Sequence, residues 1–444
     1  MGPQRLCTAL LAAVIAASSF TAFAADPTPA PDKAAVKPVP VPPPAKPKVV
    51  RPTPEDIAKI EAALPEKAPA AAKKSRKVLI YTKATGFVHS SIPVAAKTFE
   101  LMGKKTGAFE ATITDDSEAF AADNLKNYDA VLMASTTGSL FAPKSGKEEL
   151  MFDAKAGELP ADVKHSKELR DSLIAFVKSG KGIMGIHAAT DSSYKWKDYG
   201  TMMGGYFNGH PWGKITLRLD DPTNPVNAAF GTEPFTISDE IYTFKDTYDR
   251  SRLHILASID IEASNITGGF NRPQDHDYGV SWLHKYEGGR VFYTLIGHRE
   301  ESYMNPIVLK HMLAGLQYAL GDLEAPDAPS GPLPAERLEK NMKWAARAFT
   351  NVMGNEKTYK ESKAKEEMFT GTLEAIPEAG GVGIVMRTSF YKLGDRTVFT
   401  AGKKDKTLDG LVGKKVAIKG KANDMALEGQ QLKEIWPGSV RAAQ

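Results

Sequence analysis

The stretch GIMGIHAATD, residues 182–191, reads as a short apolar strand that runs into a tight turn. A strand without polar alternation suits a sheet covered on both faces, and a turn at its carboxyl end presents a side chain at the sheet's rim. The side chain so presented is His187, where many α/β enzymes carry a nucleophilic serine or cysteine. Three further runs have the same character: KVLIYT (77–82), DAVLMAS (129–135) and RVFYTLIGH (290–298). Amphipathic helical patterns lie between and after them. Among these are SKELRDSLIAFVKSG (166–180) and NPIVLKHMLAGLQYAL (305–320), the latter with Asn305 as cap and Pro306 in its first turn. This alternation predicts an α/β domain over residues 76–322, built on a doubly wound, mostly parallel sheet. Within it, KITLRLDD (214–221) and FTISDEIYTF (235–244) alternate and predict antiparallel strands at one edge.

The flanks differ in composition. Residues 1–24 have the parts of a secretory signal: Arg5, the apolar run LLAAVIAASSF, and the small-x-small site Ala22-Phe23-Ala24. Export to the periplasm or the extracellular space is therefore expected, and no stretch is long and apolar enough for a transmembrane segment. The single cysteine, Cys7, lies in the leader, which excludes disulfides, thiolate ligands and a cysteine nucleophile from the mature chain. Residues 25–75 are rich in Pro, Ala and Lys and read as an extended linker, with PEDIAKIEAALPEKA (54–68) as a short solvated helix inside it. A second Pro-rich linker spans 323–335. Residues 336–444 begin with a Lys-rich helix and continue with GTLEAIP, GIVMRTSFYKLG, TVFTAG and KKVAIKGKAN, which predict a small antiparallel β-barrel similar to an OB fold. A net charge of +4 from 57 basic and 53 acidic residues, with no concentrated basic and aromatic face, argues against a nucleic-acid partner.

Ligands of an open parallel sheet collect beyond the carboxyl ends of its strands. The exit of the first strand carries His89 and Ser90, that of GIMGI carries His187 and Asp191, and that of the last carries His298, Arg299 and Glu301. Core packing gives no reason for imidazoles at three strand exits. GGYFNGHPWG (204–213) adds His210 and Trp212, and SDEIYTF (238–244) adds Asp239, Glu240 and Tyr242. Neighbouring strand residues point to opposite faces, so one of the two acids enters the pocket, and Glu240 is the choice on chemical grounds. His187, Glu240 and His298 are candidate catalytic groups. His89, Ser90, Asp191, His210, Trp212, Tyr242, Arg299 and Glu301 are candidate substrate contacts, Trp212 and Tyr242 as platforms for a sugar ring. A set of His187, His210 and Glu240 suits a divalent ion such as zinc, although no HxxxH-type spacing occurs and only folding can assemble it. His165, His254, His276, His284 and His311 read as structural, and Asp115 and Asp116 as loop caps. KEELMFDAKAGELPADVKHSKEL (147–169) reads as a solvated excursion or a lid.

Taken together, GFVHSSIP, GIHAATDSSY, GGYFNGHPWG, SDEIYTF and VSWLHKYEGGRVFYTLIGHREESYMNP resemble the trehalose-utilisation (ThuA-like) family over about residues 77–322. The resemblance implies a flavodoxin-like fold similar to class I glutamine amidotransferases, whose elbow reads G-x-C-x-G. Here GIHAA occupies that turn, and without the thiolate glutamine hydrolysis by the usual thioester route is excluded. The family resemblance implies a small carbohydrate substrate, with His/Glu acid–base chemistry on a keto-disaccharide, metal-assisted, leading to isomerisation or cleavage. The competing expectation is a non-catalytic carbohydrate-binding module. A third makes the linker and barrel an attachment to an envelope partner.

Overall fold

The computed structural model describes residues 51–153, 157–210, 212–245, 247–267, 272, 274–377, 389–427 and 430–443. The expected leader and the Pro-rich stretch up to residue 50 lie outside the described residues. Ten strands form the main sheet: β1 Lys77–Tyr81, β2 Glu110–Thr114, β3 Ala130–Ala134, β4 Gly182–Ile186, β5 Trp212–Leu219, β6 Thr236–Glu240, β7 His254–Ile259, β8 Asn265–Thr267, β9 Gly279–Tyr286 and β10 Gly289–Thr294. Their order is β2-β1-β3-β4-β10-β9-β7-β5-β6, with β8 also on β5.

Strands β2, β1, β3, β4 and β10 pair in parallel. From β9 onward every pairing is antiparallel. The sheet is thus mixed rather than mostly parallel, and the antiparallel part is an entire wing. The reason lies in one short turn. Only Glu287 and Gly288 separate β9 from β10, too few residues for the crossover a parallel pair needs. Strand β9 is buried on both faces over its first six residues, so it carries no alternation that would betray its direction.

Helices cover the sheet: α1 Pro54–Ala63, α2 Ile92–Thr106, the single turn α3 Ala122–Leu125, α4 Ala161–Lys178, α5 Lys197–Met203 and α6 Pro306–Leu320. Asn305 caps α6 as expected, its Oδ1 accepting from Ile307 N at 3.0 Å and Val308 N at 3.3 Å. The region read as a solvated excursion contains, from residue 161, the start of α4, whose buried Arg170 pairs with Glu148.

Helix α1 departs from the expected solvated helix. Thr53 and Asp56 form a reciprocal capping box, and Ile60, Ala63 and Leu64, at i, i+3 and i+4, are buried in the main core. The chain beyond it is pinned as well: Gln317 accepts from Ala70 N at 2.9 Å and donates to Ala70 O at 2.6 Å, and Arg76 pairs with Asp322 at 2.5 Å. From residue 51 the segment read as linker is part of the domain.

The second Pro-rich stretch also lies against the domain, with Ser330 N donating to Leu253 O at 3.0 Å. It leads to α7, Ala335–Arg347, and a second sheet of β11 Thr350–Asn351, β12 Glu366–Ala375, β13 Tyr391–Leu393, β14 Arg396–Val398, β15 Lys415–Leu427 and β16 Gln430–Ala442. The pairings β12–β13–β14–β16–β15–β12 close a ring of five strands, antiparallel except for β14 on β16. That is a small OB-like barrel, with its own core of Leu373, Val398, Val416, Ile418, Ile435 and Val440. The first part of the strand expected in GIVMRTSFYKLG lies outside the described residues. Among the described residues no helix is long and apolar enough to cross a membrane.

Candidate functional site

The carboxyl ends of β1, β4 and β10 open on the same rim of the parallel wing, and the carboxyl end of β6 reaches it from the antiparallel wing. Strand β4 stops at Ile186, and His187 opens a 3₁₀ turn with φ of 45°, left-handed backbone that non-glycine residues seldom adopt. Its main chain is held by Tyr293, whose hydroxyl donates to His187 O at 2.7 Å. Its Nδ1 lies 3.1 Å from Leu295 O. A carbonyl only accepts, so Nδ1 carries a proton.

Nε2, on the other side of the ring, faces an acid. His187 Nε2 is 3.2 Å from Glu240 Oε2 and 3.3 Å from His298 Nδ1, and His298 Nδ1 is 3.1 Å from the same carboxylate oxygen. His210 Nε2 approaches the other oxygen, Oε1, at 3.0 Å. Burial works against a charge on Glu240, but the hydrogen bonds and charges of His187 and His298 outweigh it and hold its carboxyl well below the usual range. Burial likewise opposes protonation of His298, and Glu240 overrides it and pushes that imidazole up. His89 lacks such a partner. Its ring stands edge-on to His187 and His298, with centroids 4.9 and 5.2 Å away, and burial, reinforced by those two imidazoles, pushes it down to about 3. Among the described residues, buried His89 Nδ1 has no hydrogen-bond partner.

His89, His187, Glu240 and His298 each offer one ligand atom, all within 4.8 Å of one another. Three imidazoles and a carboxylate suit zinc or a similar divalent ion. The set differs from the expected His187, His210 and Glu240. His89 and His298 join it, and His210 stands on the far carboxylate oxygen.

Asp239, the acid not chosen, turns the opposite way from Glu240 and braces the loop after β10. Its Oδ2 accepts from Gly297 N at 2.9 Å and from Ser302 Oγ at 2.8 Å, and its Oδ1 accepts from Glu240 N at 2.8 Å. Ser90 is exposed, contrary to the expected ligand contact. Its neighbour Ser91 is buried and donates to Gly297 O at 3.0 Å, because α2 begins there and rotates Ser90 to the outside. Arg299 and Glu301 are exposed at the start of a 3₁₀ segment and do not line the cavity.

The cavity beside the cluster measures about 370 Å³. His89, Asp191, His210, Glu240 and His298 form its polar wall, and Phe87, Phe207 and Tyr242 its aromatic one. Tyr242 packs against His187, with centroids 4.4 Å apart, and against Phe207 at 4.3 Å. Trp212 opens β5, but its side chain lies outside the described part of the structure, as does Pro211. Phe87 and Phe207 escaped the sequence reading. The available signal was their place two and three positions before the histidines in GFVH and YFNGH. Asp191 accepts a hydrogen bond from Tyr194, and burial pushes its carboxyl up. The histidines read as structural bond elsewhere, His311 to Val226 O and His254 to Asp221. A larger groove, about 640 Å³, runs between the end of α1 and α6, with no buried titratable cluster along it.

Comparison with curated proteins returns no match. Among solved structures, a ThuA-like protein of Bacteroides uniformis is 18% identical, covering 56% of this chain and 94% of its own, with a TM-score of 0.41. A ThuA-like protein of Parabacteroides merdae is 16% identical, with coverages of 59% and 94% and a TM-score of 0.38. The family described as trehalose utilisation matches residues 77–319, more than half of the 444. The stretch so matched contains every side chain of the rim cluster, and the chain belongs to the trehalose-utilisation (ThuA) family.

Proposed function

We propose that the rim cavity binds a single sugar unit of a small, keto-oxidised disaccharide and performs acid–base chemistry on it, leading to isomerisation or cleavage of the glycosidic link. The observation that carries this reading is the meeting of His89, His187, Glu240 and His298, from four separate chain segments, beside an aromatic wall. The family's description supports a sugar-related role. A sugar ring is amphipathic, and Phe87, Phe207 and Tyr242 offer apolar faces to its C–H groups while the imidazoles and carboxylates meet its hydroxyls. The volume of about 370 Å³ accommodates one ring rather than a chain.

The same four residues would hold a divalent ion such as zinc. Two features favour it: His187 Nε2 and His298 Nδ1 converging on one carboxylate oxygen, and the buried His89 Nδ1, which has no hydrogen-bond partner among the described residues. Bound there, the ion would polarise a carbonyl or hydroxyl oxygen. The chain's own contribution is positional. Leu295 O sets the His187 tautomer, Asp239 sets the His298 loop, and His210 steadies the outer oxygen of Glu240. The signal-like residues 1–24 support a site of action outside the cytoplasm. The test is metal analysis of the purified mature protein, followed by turnover of keto-disaccharides by the native chain and by His187→Ala, Glu240→Ala and His298→Ala. Turnover unchanged in all three overturns the reading, and binding of sugar without turnover in the native chain turns it into a recognition module.

A further inference from the structure

Two carboxylates line the cavity, and they differ in what their oxygens already do. Glu240 has no oxygen to spare: Oε2 is shared by His187 at 3.2 Å and His298 at 3.1 Å, and Oε1 is met by His210 at 3.0 Å. A carboxylate with both oxygens already facing imidazoles, or an ion among them, is a poor acceptor for a substrate proton. Asp191 is engaged on one side only. Its Oδ1 accepts the Tyr194 hydroxyl, and among the described residues its Oδ2 accepts no hydrogen bond.

Its placement is also fixed. Asp191 ends the 3₁₀ turn that His187 begins, so the two functional side chains share one rigid element. Asp191 N donates to Ala188 O at 2.8 Å, and Asp191 O accepts from Gly138 N at 3.0 Å. Tyr194 restrains the carboxylate further, and Lys245 sits over the Tyr194 ring, 4.1 Å from its centroid. One restrained oxygen and one open oxygen, on the polar wall of a cavity with aromatic residues across the rest of its lining, is the arrangement a positioned proton acceptor needs.

We propose that Asp191 is the group that exchanges a proton with the substrate, and that Glu240 serves to hold the histidines and the ion they would bind. This rests on the acid–base reading of the cavity given above. Oδ2 takes a proton from a substrate hydroxyl or from a C–H beside a carbonyl. The electron pair of the broken bond stays on the substrate. The neutral carboxylic acid then returns the proton to a neighbouring atom of the same molecule, so the step balances without a co-reactant.

The experiment follows deuterium uptake from D₂O into a keto-disaccharide by NMR, alongside turnover and bound-metal content. Asp191→Asn is expected to lose at least about 100-fold in both uptake and turnover, with metal content and thermal midpoint as in the native chain. Asp191→Glu keeps the carboxylate but shifts it by one methylene, and is expected to lose about tenfold or more in kcat with KM unchanged. It carries the test should Asp191→Asn fail to fold. Native-like uptake in the variant that folds overturns this assignment and leaves the acid–base reading standing. A native chain that neither exchanges nor turns over the sugar overturns both.

Discussion

Two buried polar clusters sit on the antiparallel wing and its border, and they are built on opposite principles. At the joint with α7, Arg250 and Arg337 face Asp220 and Asp277. Charges there balance two against two; Ser258 donates to Asp220 Oδ2 at 2.6 Å, and Tyr248 joins Arg250 on Asp277 Oδ2 at 3.0 Å. At the rim, His187, His298 and His210 crowd one carboxylate, and the buried Nδ1 of His89 has no hydrogen-bond partner among the described residues. The first cluster pairs its charges and fastens an element, leaving the Nε atoms of Arg250 and Arg337 without a hydrogen bond among the described residues. The second gathers imidazoles and one acid, each with a ligand atom turned to the others, beside a cavity, and side chains so grouped point to a ligand.

The sharpest way to break this contrast is to remove the acid of the rim. Glu240→Ala is expected to weaken divalent-ion binding on the order of 1,000-fold, about 4 kcal/mol, measured by zinc titration against a competing chelator. Native affinity in that variant would reduce the rim to another structural cluster. At the joint the effect should fall on stability instead. Arg337→Ala leaves Asp220 and Asp277 short of a partner and is expected to cost about 3 kcal/mol in urea unfolding, with ion affinity unchanged. A loss of ion binding there would show the two clusters to be one system.

A buried imidazole outside both clusters, His311, sharpens the comparison, its ring bonded to a backbone carbonyl rather than an acid. His311 donates to Val226 O at 2.9 Å, and burial pushes it down to about 4. The unfolded chain therefore takes up the proton first, so this contribution to stability is whole above the unfolded pKa of about 6.5 and fades as pH falls toward 4. His311→Gln is expected to remove about 2 kcal/mol of the stability lost between about pH 7 and pH 5. Unfolding curves at the two pH values check it. The smallest effect belongs to the brace. Asp239→Asn keeps one of two accepting oxygens and is expected to lower ion affinity about tenfold. An unchanged affinity would show that the loop bearing His298 holds its place without Asp239.

Much of this was legible before any coordinates. GIMGI and KVLIYT are apolar throughout because both faces of their strands are covered, and the histidines at their ends stood out because packing does not call for them. Asn305 and Pro306 announced α6. Other features resist linear reading for definite reasons. Strand β9 is buried on both faces, so nothing in SWLH distinguishes an antiparallel strand from a parallel one, and the two-residue link to β10 decided it. Helix α1 sits amid prolines that favour extended chain, and its stripe of Ile60, Ala63 and Leu64 gained meaning only against the core it covers. Ser90 and Ser91 are alike in sequence, and the start of α2 chose between them.

Sequence alone determined the α/β class, the small C-terminal β domain and the delivery of His89, His187 and His298 to strand exits, since periodicity and strand termini are local properties of the chain. Which nitrogen meets which oxygen was decided by tertiary structure. Glu240 reaches the histidines only because the antiparallel wing carries the end of β6 to the rim of the parallel one, and Asp191 lines the same cavity with, among the described residues, one oxygen taken by Tyr194 and the other open. Such distances join residues up to 209 positions apart, His89 and His298 at the extremes, and no local pattern encodes them.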